Sequence, residues 1–516
     1  MLLVHPRRPW IVDGTLARVR PDALDALPWA RVFAEMEALE AGAVANPDEG
    51  RRVGHYWLRA PELAPTMGEA RVIGETIEAV RAFADAVRQG SERAPDLEPF
   101  TDVIHVGIGG SALGPALLVD ALAAPEADRG RPGDDRGLRF HLVDNVDPDG
   151  VARVLAGVGE RLRHTLVVVV SKSGGTVETA AGLELVKHAM VRRGLDPGGH
   201  LVAVTQAGSA LEQRARSERW RRTFPLWDWV GGRTSVTSAV GLLPAGLVGV
   251  DTSALLAGAA EMDVWTRTPD WRDNPSALLA GLWHALGGGR GARAMVVLPY
   301  QDRLLLLARY LQQLVMESIG KQHDRGGAVV AQGLTVYGNK GSTDQHAFVQ
   351  QLRDGTDDTF VTFVQVLDDG AGSSRPTVDG ASAGDLLQGF LLGTRRALAE
   401  GGRPSITLTV PTVDARVLGG MIAMFERAVG LYASLIDVNA YHQPGVEAGK
   451  KAAAATLTLQ KRLVALLPVL PTTAEALAAR LEADPVEVFY LLERLAQTGR
   501  ARRDASTTPP KYGQPR

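Results

Sequence analysis

From residue 102 onward, short β-branched and apolar runs alternate with longer stretches of helical spacing, and this alternation constrains the fold more than any other feature of the chain. Runs at 103–108, 139–143, 165–171 and 201–205 are each followed by a helical stretch, at 111–122, 148–162, 177–193 and 210–216. Leu166-Val167-Val168-Val169-Val170 is apolar at every residue, which suits a strand covered on both faces. Such a pattern predicts parallel strands joined by helices. It resumes after a connecting stretch, with strands at 294–299, 359–367 and 405–410 and helices at 303–318, 382–400 and 414–438. The expected fold class is α/β, with two parallel-sheet α/β/α units at 95–260 and 270–450. Residues 1–94 read as a helical region, with helices at 29–41 and 67–88 and a turn at Asn46-Pro47-Asp48-Glu49-Gly50. Residues 451–516 read as a small helical appendage. A chain of 516 residues has room for about three such units.

Composition excludes several classes of function. There are 56 Lys+Arg against 59 Asp+Glu, a formal net charge of -3, so no global field holds nucleic acid or an anionic membrane. The longest apolar run, at 239–250, is broken by glycines and a proline and falls short of the ~20 residues of a membrane span. The N-terminus lacks the basic-then-apolar order of a secretion signal, so a cytoplasmic protein is expected. With no cysteine, disulfides, thiolate nucleophiles and Cys-ligated metals are absent from the chemistry. Basic residues are overwhelmingly Arg. The chain has only eight lysines, and Lys172, Lys321, Lys340 and Lys450 all lie beside glycine-containing motifs, where a compact ammonium suggests a task.

Two glycine-rich turns open helices directly after buried runs. Val106-Gly107-Ile108-Gly109-Gly110-Ser111-Ala112-Leu113-Gly114 lets a ligand approach the backbone, and free N–H groups at the helix start attract an anion. The run also fits G-x-G-x-x-A, with Asp144 after the next strand, so a nicotinamide oxidoreductase stays open here. Ser171-Lys172-Ser173-Gly174-Gly175-Thr176 gathers hydroxyls, an ammonium and backbone donors that suit a phosphate monoester. It is no Walker loop, because its lysine precedes the glycines. A dinucleotide fold has no need of this second site; a phosphorylated sugar does.

Four further stretches carry chemistry. Gly231-Gly232-Arg233-Thr234-Ser235 presents one arginine on a turn. Gln313 and Glu317 stand four apart on one helix face with Tyr310 and Leu314. An acid among apolar neighbours has a raised pKa and serves as a general base near neutrality. Gly338-Asn339-Lys340-Gly341-Ser342-Thr343-Asp344-Gln345-His346 ends in a histidine close to an aspartate that is placed to orient it. Gln443-Pro444-Gly445-Val446-Glu447-Ala448-Gly449-Lys450 sets a lysine at the start of a helical run. No metal site is expected, since the acids and histidines lack close ligand spacing.

Taken together and in order, these stretches resemble the phosphoglucose isomerase (glucose-6-phosphate isomerase) family over roughly residues 40 to 450. The run Ala43 to Gly50, with His55-Tyr56-Trp57-Leu58-Arg59, resembles the cyanobacterial-type bacterial branch. The resemblance implies two sugar-isomerase (SIS) units, no cofactor, a sugar-phosphate substrate, and a homodimer with active sites at its interface. It implies that Glu317 is the base moving a proton between C1 and C2 through a cis-enediolate, and that Arg233 stabilises the enediolate. His346, lent by the partner subunit, and Lys450 would open the ring. Gln313 and Gln443 would bind and position hydroxyls; Ser171, Lys172, Ser173 and Thr176 would hold the phosphate; Gly110 and Ser111 would line the sugar site. The reaction implied is interconversion of glucose 6-phosphate and fructose 6-phosphate. The alternative is a non-catalytic SIS module that senses a sugar phosphate, which has no reason to hold Glu317, His346 and Lys450 together. Departures from the family pattern are Gly175 in place of a threonine, Thr234 in place of an aromatic and His442 in place of Asp or Asn. Residues 472–516 extend past the usual family ending and resemble a winged helix-turn-helix. Glu487 and Glu493 on its would-be reading helix speak against nucleic acid, so a packing or dimer-supporting role is expected.

Overall fold

Strand Thr165–Val170 is buried at every residue, as is Asp102–Val106 beside it, because helices cover both faces of the sheet they form. The computed structural model describes residues 1–6, 8–130, 137–370 and 376–515. The first sheet has five parallel strands in the order Arg139–Val143, Asp102–Val106, Thr165–Val170, Leu201–Thr205, Arg222–Pro225. The chain therefore starts at Asp102–Val106, steps to one side, then returns and proceeds to the other. The reversal lies between Asp102–Val106 and Thr165–Val170, the place where open α/β sheets bind ligands beyond their carboxyl ends. Both glycine-rich turns leave the sheet at that crevice.

A second sheet repeats this plan. Its parallel strands run Ser405–Val410, Thr359–Val366, Ala294–Pro299, Val336–Gly338. Two antiparallel strands, Leu2–Val4 and Ile11–Asp13, complete it to six, with Thr407 paired to Asp13 and Thr409 to Ile11. The N-terminal region is thus not purely helical. Its first residues close the edge of a sheet whose other strands lie hundreds of residues away. Helix Met67–Arg88 matches the spacing expected, and its start is set by Thr66, which accepts the Glu69 N–H at 3.1 Å.

Helices between the sheets make one core. Thr252–Thr266 and Ala415–Leu435 cross with their backbones almost touching: a Cβ on Gly258 would lie 1.8 Å from the Arg416 carbonyl oxygen. Charge is buried there too. Arg59 donates to Asp263 (Nη2–Oδ1 3.1 Å) and to Glu426, while Arg427 reaches Asp263 at 3.2 Å and Glu40. Arg59, Asp263, Glu426 and Arg427 are all at most 5% exposed. This network ties the N-terminal turn His55–Leu58 to both helices.

The chain divides into two compact units, Met1–His442 and Gln443–Arg516, whereas the sequence suggested a border after residue 450. Gln443 and Lys450 therefore belong to the second unit. That unit holds helices Pro444–Leu466, Ala474–Leu481 and Pro485–Gln497 and a three-stranded antiparallel sheet, Thr472–Thr473, Lys511–Gly513, Arg502–Asp504. Thr473 caps through the Ala476 N–H, so Glu475 sits one position too early to complete a capping box. Arg503 pairs with Glu493 at 2.7 Å, and Tyr512 donates to the same carboxylate. Among the described residues no helix is long and apolar enough to cross a membrane.

Candidate active site

The carboxylate of Glu317 lies at the meeting point of three segments. Arg233 Nη1 reaches Glu317 Oε2 at 2.6 Å, and Gln313 Nε2 donates to the same oxygen at 3.1 Å. The surroundings differ from those the sequence suggested: Glu317 faces a guanidinium and an amide rather than an apolar wall, with its side chain 22% exposed. Its helix also departs from a regular α-helix over 303–318. A short turn at Asp302–Leu304 leads to Leu307–Leu311, then a π-helical turn spans Gln312–Glu317. Such wide turns are rare and are found frequently at functional sites.

Arg233 is held rigidly. It is 5% exposed, and its Nη2 donates to the carbonyls of Ala440 and His442, both at 3.0 Å. Thr234 closes the turn by donating to the Gly231 carbonyl at 3.3 Å, so the threonine after the arginine has a structural use. The first glycine turn packs directly on this one: a Cβ on Gly110 would lie 2.0 Å from the Gly232 carbonyl oxygen, and one on Gly109 (φ +59°) 3.1 Å from Gln313 Nε2. Ser235 Oγ donates to the Gly232 carbonyl at 2.7 Å. Burial pushes the imidazole of His105 down to about 4, so the ring is neutral and its Nε2–H donates to the Ser111 carbonyl at 2.6 Å. Glycines here serve backbone contact between the two turns that frame Glu317. An alanine at Gly110 must drive those turns apart, and Gly110→Ala is expected to lower kcat/KM by roughly 100-fold. Steady-state kinetics beside an unchanged circular-dichroism spectrum check this.

The second loop, Ser171 to Thr176, leads from Thr165–Val170 into helix Val177–Arg192. Ser171 is buried, accepts the Gly174 N–H at 3.2 Å and lies 3.4 Å from the Thr176 hydroxyl. Gly175 donates to Ser173 Oγ at 3.2 Å. Lys172 turns away from this group. Its Nζ donates to the carbonyls of Asp228 (2.6 Å) and Val230 (3.0 Å), fastening the segment that leads to Gly231-Gly232-Arg233. Burial, reinforced by Arg51, pushes this ammonium down to about 8.

Three residues remain: His346, Gln443 and Lys450. His346 ends the turn Thr343–His346 and is exposed. Asp344 does not orient it: that carboxylate is buried and accepts the Lys340 N–H at 2.9 Å and the Asn339 amide at 3.4 Å. Among the described residues no hydrogen bond or ion pair joins His346 to the Glu317 cluster. Gln443 precedes helix Pro444–Leu466, on which Lys450 is exposed.

The sequence profile of phosphoglucose isomerase matches residues 22–378 and 391–464. The chain belongs to that family. It is 53% identical to a glucose-6-phosphate isomerase of Synechococcus sp. (strain JA-2-3B'a(2-13)) over 96% of this chain and 92% of that one. It is 55% identical to one of Citrifermentans bemidjiense, over 94% and 90%. The crystal structure of a glucose-6-phosphate isomerase from Chlamydia trachomatis superposes with a TM-score of 0.77 at 29% identity, covering 88% of this chain and 89% of the other.

One residue of the cluster was left without a role by sequence reasoning. Lys321 is 5% exposed, and its Nζ donates to the backbone carbonyl of Glu317 at 2.6 Å. Its rarity as a lysine beside Gly320 was the available signal. Asp48 and His442 lie close by, with His442 Nε2 3.7 Å from Asp48 Oδ2. Burial above all, with Lys321 adding to it, lowers the His442 imidazole below its usual value.

Proposed function

We propose that this chain interconverts glucose 6-phosphate and fructose 6-phosphate as a cytoplasmic homodimer, with Glu317 as the base. The observation that carries the reading is the Glu317 carboxylate fixed between Arg233 and Gln313 beside the first glycine turn. Moving a carbonyl from C1 to C2 requires a proton to leave C2 and one to arrive at C1. A single carboxylate placed over both carbons performs both transfers, and the exchange is redox-neutral. The oxyanion that develops between them needs a fixed positive charge. Arg233, held by two carbonyls and 5% exposed, supplies it without reorganising. As the enediolate forms, the guanidinium shares its donors between Glu317 and the new oxyanion. Gln313 holds the carboxylate from the side and is placed to meet a sugar hydroxyl.

The phosphate belongs in the second loop. Ser171, Ser173 and Thr176 offer hydroxyls, and the start of helix Val177–Arg192 offers backbone N–H groups. Gripping the phosphate there provides remote binding energy that orders the open-chain sugar over Glu317. Lys172 supports this loop indirectly, by tying it to the Arg233 segment. Gly110 and Ser111 line the sugar site. His346 and Lys450 open the ring, and Gln443 positions the sugar. An exposed histidine on a loop stiffened by buried Asp344 is well placed for delivery to a second subunit.

The test is conversion of fructose 6-phosphate to glucose 6-phosphate, read by a coupled dehydrogenase. Wild-type turnover is expected; its absence overturns the reading. Sharing of sites is checked by mixing two inactive variants, Glu317→Gln and His346→Ala. If His346 acts across the interface, random heterodimers regain one intact site, and about a quarter of wild-type activity returns on statistical grounds. Activity that stays at the level of the separate variants places both residues in one subunit's own site.

A further inference from the structure

Lys321 occupies an expensive position. It follows Gly320 at the start of strand Lys321–His323, pairing there with Gln332. The backbone bond from Gly320 N–H to the Met316 carbonyl, at 2.8 Å, is where the helical turn stops. The Glu317 carbonyl is the next in line, one of those a helix end leaves without a backbone partner, and the Lys321 ammonium takes it at 2.6 Å. Burial and then the Arg233 charge oppose that ammonium, bringing it down to about 7, while Glu317 and Asp48 support it. A carbonyl at a helix end can ordinarily be satisfied by water or a turn of backbone. A lysine buried beside a guanidinium, in a chain that otherwise uses arginine, is a costly substitute.

We propose that Lys321 is a positioning residue for isomerisation: by fixing the main chain of Glu317, it sets where that carboxylate stands against Arg233 and Gln313. The inference rests on Glu317 being the base. The side-chain anchors of the Glu317 carboxylate are Arg233, from its own turn, and Gln313, four residues earlier on the same π turn. Neither fixes the height of the Glu317 backbone. Lys321 alone of the three grips the backbone at that residue, so its loss lets the carboxylate slide while its partners stay.

Lys321→Met keeps the length of the side chain and removes the donor. Its kcat is expected to fall about 10- to 100-fold, the cost of a displacement near 1 Å in a reacting group. KM for fructose 6-phosphate should move less than about threefold, because the phosphate loop stands on another element. The unfolding midpoint should hold or rise, since a buried charge has gone. Because the chain has no cysteine, Lys321→Cys can be aminoethylated at that site alone. Restoring the amine in this way, verified by mass, is expected to bring kcat back to within a few-fold of wild type. The proposal is overturned by a Lys321→Met kcat within about twofold of wild type, by activity falling only in step with folded protein, or by aminoethylation that leaves kcat at the cysteine level. A wild-type chain with no isomerase turnover overturns the assignment of Glu317 first, and this inference with it.

Discussion

Glu317→Gln is expected to lose roughly 1,000-fold in kcat, within the range a positioned general base contributes, while still binding fructose 6-phosphate. The amide is the size of the carboxylate, and its oxygen can still accept from Arg233, so the turn and the cleft keep their shape. It cannot take a proton. Glu317→Asp separates chemistry from geometry, because it keeps the acid and withdraws it by one methylene. An intermediate loss of about 100-fold follows from that misplacement. Single-turnover kinetics with a binding titration give the order wild type, Asp, Gln in kcat at nearly constant affinity. A Gln variant that turns over at the wild-type rate means another group moves the proton.

The second large effect is on stability. Arg59→Met is expected to cost about 3–5 kcal/mol, because it leaves Asp263 and Glu426 buried without their main partner. Burial raises the Asp263 carboxyl, but Arg59 and Arg427 outweigh this and hold it below the usual range. Glu426 is the weaker member: burial pushes it up to about 7, and Arg59 offsets only part of that. A carboxyl whose folded value is raised binds more protons in the folded state, so its contribution to stability is lost as the pH rises through about 7. Without Arg59 the group should take a proton more readily still. The destabilisation of Arg59→Met is therefore expected to shrink as the pH is lowered towards about 7 and to level off below it. Adding Glu426→Gln should recover part of it at higher pH. Denaturation midpoints across that range check both, and a penalty independent of pH removes Glu426 from the account.

Buried parallel strands were legible where cover on both faces demands an apolar run, as at Leu166 to Val170, whereas the short, partly exposed edge strands Arg222–Pro225 and Val336–Gly338 were not. The helix Met67–Arg88 was legible from its helical spacing, while the cap at Thr66 is a finding of the structure. Leu2–Val4 and Ile11–Asp13 were not, since three residues carry no period and their pairing partner lies near residue 407. The π turn at Gln312–Glu317 was hidden for another reason: spacing of four puts Gln313 and Glu317 on one face whether the turn is regular or wide. Gly231-Gly232-Arg233 and the two loops announced themselves by composition. What composition does not carry is direction. Lys172 sits in its loop yet points to the carbonyls of Asp228 and Val230, and Asp344 turns inward from the histidine two residues away. Lys321 bonds a main-chain oxygen, a target that no side-chain motif encodes.

The pairing of Ile11–Asp13 with Ser405–Val410 also orders events during synthesis. At roughly 5–20 residues added per second, the opening strand leaves the ribosome tens of seconds before its partner exists. The sheet that ends at Pro225 can assemble while translation continues, whereas the other must wait until residue 410 has emerged. A nascent chain interrupted in between carries an unsatisfied edge, and the brevity of the leading strands limits how far that edge can recruit other chains.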